Sequence, residues 1–499
     1  LTRISPQAVR WTIVTAITAV AAMYLAAWLA PAIGLYHADG AYLVTARALA
    51  AGHGYVIDNL PTPVPQTGFP PLFPALLALF SLVSLNTLWL KLLPLICTAG
   101  WLTLSWRLLR RLGASEAGTA LVILLAAASP VLIFLGTNLM PESLFGLLVA
   151  AAILALFDDK ARLAGIYAGL ATLTRPGGLP LIAACALILL IYGRLRKAVE
   201  FTVAGILLAA PWFGWTLAHA PSSDYYGRAT HASASILTSL EASEKLQALG
   251  HNAVYLFSAL WTMLSGIEDI WSAITTLGLL GWSLWRRRQL VPDLFLALYA
   301  LGLLFALGPV QYALAPVLPL ILWMFWRGLR DFIRREALLA LLVLLAGVTV
   351  RFDYRRFLLL PSGQFPSGDQ RPNNWKEMER LFAFIRSNTR PDAVLVANLD
   401  PLFYLNTGRK TIRGFAPDYF HSVYQAGGVA VTPDGLAAAV LAENCNYIAL
   451  TPDRNFVESA AYRRAVEALE RGGMLEPVSV PALAPGYRLL RVVASGFRR

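Results

Sequence analysis

Charge is what this 499-residue chain has least of. Only 14% of its residues are Asp, Glu, Lys or Arg, against 57% hydrophobic, a balance that excludes an ordinary water-soluble globular protein. Acidic groups are scarcest at the start, where none precedes Asp39. Cysteine is nearly missing too. Three cannot build a disulfide framework: Cys97 and Cys185 lie inside apolar runs and Cys445 stands alone near the C-terminus, which leaves the redox compartment open. The first apolar run, Trp11 to Ile33, lacks a small-residue cleavage pattern and reads as a retained span, not a removed signal peptide. The net charge of +12 is not gathered as a nucleic acid would require. It sits in short loops between apolar runs, where it acts as an orientation signal.

What the chain does have is apolar runs from Trp11 to Val350, followed by a polar stretch, Arg351 to Arg499. Runs near 11–33, 88–106, 117–136, 143–157, 163–175, 178–192, 198–218, 268–285, 291–308, 309–326 and 336–350 read as spans. Two more, 71–87 and 252–266, are long enough to cross untilted but could equally lie in the interface. With those two on the outer face and the N-terminus inside, 17 basic residues fall inside. Five (Arg47, Lys91, Arg175, Arg228, Lys245) fall outside. Letting both stretches cross would turn the eight basic residues from Arg107 to Lys197 outward, against the positive-inside rule. The expected fold is a polytopic α-helical membrane protein with eleven transmembrane helices and a C-terminal extracytoplasmic α/β domain. Residues 1–350 form the body, with outer loops 34–87 and 219–267; 351–372 form a Pro/Gly/Ser-rich linker and 373–499 the α/β domain. In the latter, helices are expected near Asn373–Asn388, Pro401–Thr407, Gly435–Glu443 and Val457–Arg471. Strands are expected at Ala393–Ala397, at Tyr447–Leu450 and near the C-terminus. It holds no glycine-rich phosphate loop and no paired metal ligands, so no separate catalytic site is expected there. No internal repeat is visible, and the spans are nearly charge-free apart from a break at Arg175, which argues against a transporter.

This topology puts Asp39, Glu142, Arg175, Tyr312 and the loop 219–251 on one face. Asp39, in His37-Ala-Asp39-Gly40-Ala-Tyr42, lies just beyond a span at the lipid–water boundary, where a carboxylate is costly without a partner or a task. The competing reading is an aspartate capping a helix that begins near Gly40. Glu142, after Pro141, opens a span and could simply offset a helix N-terminal dipole. Arg175, in Leu173-Thr-Arg175-Pro-Gly-Gly-Leu179, offers a permanently charged fork suited to a phosphate oxygen pair, or snorkels to headgroups. Lys91 is a weaker cationic candidate. Tyr36, Tyr42, Tyr225 and Tyr226 are substrate contacts or members of an aromatic belt. His37 and His53 could join the carboxylates on a metal or serve polar loop roles.

With Thr67-Gly68-Phe69-Pro70-Pro71 added, four motifs stand in order on one face, and the body resembles the GT-C membrane glycosyltransferases, on the branch of the protein O-mannosyltransferases and lipid A aminoarabinose transferases. Tyr404-Leu-Asn-Thr-Gly408-Arg409-Lys410 is similar to extracytoplasmic tails of bacterial members. The resemblance implies an integral protein of the inner or plasma membrane, N-terminus cytoplasmic and C-terminal domain extracytoplasmic, serving cell-envelope glycosylation. It would transfer a sugar, with inversion, from a polyprenyl-phosphate donor to a hydroxyl of a glycan, lipid or protein acceptor. Asp39 is then the candidate base. Glu142 orients the acceptor, binds a divalent cation or holds the surroundings of Asp39; a metal, if present, would use Asp39 and Glu142. Gly68 and Gln311, the latter beside Tyr312, stand where members often carry a basic residue. Either Arg175 and Lys91 carry the phosphate, or the donor site has diverged. The alternatives are a ligase using a diphosphate carrier, a lipid-linked-glycan transporter and a non-catalytic assembly partner.

Overall fold

The computed structural model describes residues 6–219, 241–265, 270–286, 289–304, 313–329, 331–332, 374–415, 431–452 and 458–493. The expected span 336–350, the linker 351–372, Tyr225, Tyr226, Gln311 and Tyr312 lie outside them.

The apolar part is helical. Helix α1 (Pro6–Trp28) leads through an irregular stretch into α2 (Ala38–Ala50); a two-stranded ribbon, β1 (Val56–Ile57) with β2 (Val64–Pro65), precedes α3 (Leu72–Val83). Then come α4 (Thr87–Arg111), α5 (Glu116–Ala128), α6 (Pro130–Thr137), α7 (Glu142–Phe157), α8 (Ala161–Thr172), α9 (Gly178–Ile191) and α10 (Leu195–Ala218). After them stand α11 (Ala242–Ser265), α12 (Ile270–Arg286), α13 (Leu290–Leu304) and α14 (Leu318–Leu329). Local chemistry sets several boundaries. The Asn86 side chain accepts from the amides of Leu88 and Trp89 at 2.9 and 3.3 Å and caps α4. Arg175 precedes Pro176, which disfavours helical backbone there, so α8 stops at Thr172 and α9 restarts at Gly178. Helix α8 packs against α7 and α10. A Cβ at Gly165 would sit 2.2 Å from the Phe201 carbonyl oxygen, so the α8–α10 crossing exists only because that position has no side chain.

Each expected span on the described residues has a helix of its own, except 117–136, which is divided between α5 and α6, but few of these helices are long. Among the described residues, two helices are long and apolar enough to cross a membrane, α4 and α10. A third arises if α5 and α6, bent by 66° where Ser129 meets Pro130, form a single broken span. The run at 143–157 appears as the 16-residue α7, and 163–175 as the 12-residue α8. Among the described residues, only at Ser129-Pro130 does the backbone break a run that hydropathy counts as continuous. The stretch 252–266, expected in the interface, is the second half of the 24-residue α11.

The C-terminal residues form α15 (Trp375–Asn388), β3 (Leu395–Ala397), α16 (Asp400–Thr407), β4 (Thr411–Ile412), α17 (Pro433–Ala442), β5 (Tyr447–Leu450), α18 (Ser459–Arg471), β6 (Leu475–Val478) and β7 (Arg488–Val492). The strands make one sheet in the order β4-β3-β5-β7-β6, parallel from β4 to β5 and antiparallel beyond. Its two hydrophobic cores are not purely C-terminal. Ala32 and Leu35, from the stretch before α2, pack with Met378, Phe382, Leu402 and Phe403. Ile57 and Leu60, from the ribbon, pack with Val396, Ile412, Val440 and Ile448. The first connecting loop therefore supplies apolar side chains to both cores of the sheet unit.

Candidate active site

Helix α2 is the element on which the site is built. The residue before it, His37, takes φ 60° and makes no side-chain cap. Asp39, in the first turn, points backwards: Oδ2 accepts the Gly34 amide at 2.6 Å and Oδ1 the Tyr36 amide at 3.1 Å. It closes the turn ahead of the helix, which begins at Ala38 and not near Gly40. Only 1% of Asp39 is exposed. Burial raises its carboxyl above the usual range, while the Gly34, Gly40 and Tyr36 amides and the charge of Lys91 pull the other way. Lys91, on α4 and fully buried, donates to the Ala30 carbonyl at 2.6 Å.

One turn further along α2, Tyr42 stands close enough to Arg175 for the two to act on each other electrostatically. The Arg175 guanidinium pairs with Glu142 Oε1 at 2.9 Å from the α8–α9 break, and its side chain is 30% exposed while that of Glu142 is 4% exposed. The other Glu142 oxygen, Oε2, is buried with no hydrogen-bond partner among the described residues. Tyr299 of α13 stands close enough to act electrostatically on Arg175, and it donates to the Ala313 carbonyl at 2.6 Å. Asp39, Lys91, Tyr42, Glu142 and Arg175 thus gather at one end of the helices.

The two histidines go elsewhere. His37 meets Arg413 and lies 3.3 Å from Asp400. His53 Nδ1 is 3.4 Å from Asp58 and its side chain is 57% exposed. Among the described residues no three His, Cys, Asp or Glu side chains are grouped to hold a metal. Among the described residues no ligand set gathers around Asp39 and Glu142: backbone amides hold Asp39, and Arg175 pairs with one Glu142 oxygen.

Sequence reasoning passed over a second polar cluster, where the C-terminal unit meets the loop. The Lys410 ammonium lies 3.0 Å from Asp58 Oδ1, the Tyr404 hydroxyl donates to Asp58 Oδ2 at 3.0 Å, and Asn59 donates to Asp400 at 2.9 Å and to the Thr411 carbonyl at 3.0 Å. Arg413, 2% exposed, is 3.3 Å from Asp400. Burial alone would lift the Asp58 carboxyl; the bonds from Lys410 and Tyr404 outweigh it and hold it below its usual value. The same contact, added to burial, pushes Tyr404 up to about 12. The chain before and within α2 also meets this unit closely, since a Cβ on Gly40 would come 2.9 Å from the Pro401 side chain and one on Gly34 3.1 Å from the Leu402 Cα. The signal available in the sequence was an Arg inside the apolar Thr411-Ile-Arg-Gly-Phe415 and an Asp ahead of Pro401.

No family model and no curated protein sequence matches the chain. Solved structures do. ArnT from Cupriavidus metallidurans bound to undecaprenyl phosphate aligns with a TM-score of 0.61 at 13% identity, over 99% of this chain and 99% of that one. The chain shares the fold of this ArnT. Apo ArnT from the same organism gives 0.59 at 14% identity, over 98% of this chain and 99% of ArnT. The likeness therefore runs through both the helical body and the C-terminal sheet unit, and at this identity it concerns the fold.

Proposed function

We propose that the chain is an inverting glycosyltransferase that moves a sugar from a polyprenyl-phosphate donor to an acceptor hydroxyl at the outer membrane face. The observation that carries this reading is the pairing of a partly exposed Arg175 with the buried Glu142 beside Tyr42, one helical turn from Asp39, in a fold shared end to end with a protein solved with undecaprenyl phosphate. In the reaction the acceptor oxygen attacks the anomeric carbon as the bond from that carbon to the phosphate oxygen breaks. The leaving polyprenyl phosphate takes the electron pair and a carboxylate takes the hydroxyl proton. Arg175, partly exposed, meets the phosphate, and its pairing with Glu142 fixes the fork before the donor arrives. Lys91 adds positive charge beside Asp39.

Asp39 is the proposed base. Two of its roughly four acceptor sites are taken by amides, leaving the others for a hydroxyl, and the burial that raises its carboxyl suits proton acceptance. One observation favours a second assignment, Glu142, because its Oε2 is buried and without a partner. The test is reconstitution of the full chain in proteoliposomes with polyprenyl-phosphate sugars and a panel of hydroxyl acceptors. Release of polyprenyl phosphate matched by sugar on the acceptor, inverted at the anomeric carbon, is the expected outcome. Retained configuration, or no turnover with any donor, counts against it. A reporter after Arg499 active only in the cytoplasm would overturn the orientation.

A further inference from the structure

Helices α4, α7 and α8 each have a second end, and it is built differently from the end that carries Lys91, Glu142 and Arg175. Helix α4, about 37 Å long at 1.5 Å per residue, finishes on Arg107, Arg110 and Arg111, and α7 finishes at Asp158, beside Lys160. Between them lies a cleft of about 660 Å³. Its charges do not cancel. Arg111 is spent on Asp158 at 2.7 Å, and the next acid, Asp159, is held by Arg194 and Lys197. Arg110 places one nitrogen on the Ala114 carbonyl and keeps its other donors. Arg107 and Lys160 have no side-chain partner among the described residues, and both are exposed. The far wall is apolar, from Leu104 on α4 across Leu154 on α7 to Leu163 on α8, with half-buried Trp106 and Tyr167 beside the cations.

We infer that this cleft binds the headgroup of an anionic phospholipid, at the membrane face opposite the proposed active site. Uncommitted cations at the mouth match a phosphate, and the apolar wall running up the helices matches acyl chains. Aromatic rings with a polar edge suit the level between the two. A free phosphate ion would use the cations and leave the apolar wall unexplained. The inference stands apart from the proposed sugar transfer.

The experiment uses the full chain, delipidated in a neutral maltoside detergent, and follows the thermal unfolding midpoint while phosphatidylglycerol is titrated in. The expected result is a saturable rise that phosphatidylcholine and inorganic phosphate do not produce. Arg107→Gln with Lys160→Gln weakens the apparent affinity about thirtyfold, since each cation near a lipid surface contributes about a factor of five. Arg107→Lys with Lys160→Arg keeps it. If the double Gln variant does not fold, Arg107→Gln alone gives the same comparison with a loss of about fivefold. An equal rise with phosphatidylcholine, an equal rise with inorganic phosphate, or an unchanged affinity in the Gln variants overturns the inference.

Discussion

Arg413 and His37 are 376 positions apart, yet the Arg413 guanidinium meets the His37 imidazole and both face the Asp400 carboxylate. His37 is the residue from which α2 starts, and Asp39 follows two positions later. The C-terminal unit therefore holds the loop that carries the proposed base. Burial lowers the His37 pKa, the positive charge of Arg413 lowers it further, and Asp400 only partly offsets them. A neutral imidazole next to a guanidinium is the arrangement that results.

Arg413→Ala should destabilise the C-terminal unit by about 3–5 kcal/mol, the cost of removing one partner of a buried ion pair. Arg413 and Asp400 are both nearly inaccessible, with side chains 2% and 1% exposed. Arg413→Lys should recover part of the loss, because a point charge replaces the planar fork. Chemical denaturation followed by tryptophan fluorescence measures both. A change below 1 kcal/mol for Arg413→Ala would mean that docking on the loop does not depend on this pair.

Docking should weaken in acid. His37 and Asp58 both have folded pKa values below their usual ones. Each contributes stability that is full above its unfolded value and is lost as pH falls through the folded one. For His37 the loss begins below about pH 6.5, and for Asp58 below about pH 4. Asp39, raised by burial, acts in the opposite sense: its contribution is full below about pH 4 and declines as pH rises through its raised folded value. Melting temperatures from pH 8 to pH 3.5 should fall in wild type. The fall between pH 7 and pH 5 should be smaller in His37→Gln, and that below pH 5 smaller in Asp58→Asn. Parallel curves for all three proteins would remove both groups from the linkage.

The strands and helices of the C-terminal unit were legible because they alternate in period, with turn residues between them. Tyr447–Leu450 was expected and observed over the same residues, and Pro401–Thr407 is extended in the structure by Asp400 alone. Helix ends in the apolar part were less legible, since hydropathy counts a run as continuous through Ser129-Pro130 while the backbone bends there, although the break at Arg175-Pro176 was visible. The Glu142–Arg175 contact joins two motifs that had each been singled out, but nothing in a single chain indicates that they pair. Asp58, Asp400 and Arg413 were missed because their partners come from a distant stretch, and nothing in a single chain pairs Arg413, inside its apolar run, with Asp400 and His37.

Arg175→Lys should keep the Glu142 pair and weaken donor binding by about tenfold, because a bidentate fork is lost while the charge remains. Arg175→Ala removes the charge that faces the buried Glu142 carboxylate and should abolish donor binding. Equilibrium binding of a non-transferable polyprenyl-phosphate analogue to detergent-solubilised protein reads both. Unchanged affinity in Arg175→Ala would take the phosphate away from this residue.

The choice between the two carboxylates rests on a pair of substitutions. Asp39→Asn keeps the shape but has only one oxygen, so either the Gly34 or the Tyr36 amide must face an NH2 group. A stability loss of about 1–3 kcal/mol is expected from that unsatisfied donor alone. Glu142→Gln can keep its carbonyl oxygen towards Arg175 and turn its amide to the position of the unpartnered Oε2, so it should cost less. Activity is therefore compared only in samples shown to be folded by an intact unfolding transition. In single-turnover transfer with donor saturating, loss of a general base lowers the rate about 100- to 10,000-fold. If Asp39 is the base, Asp39→Asn falls by that much with donor affinity unchanged, and Glu142→Gln falls less, through its effect on Arg175. The reverse order would move the proton to Glu142 and leave Asp39 as the residue that shapes the turn before α2. Wild-type rates in both folded variants would exclude both assignments.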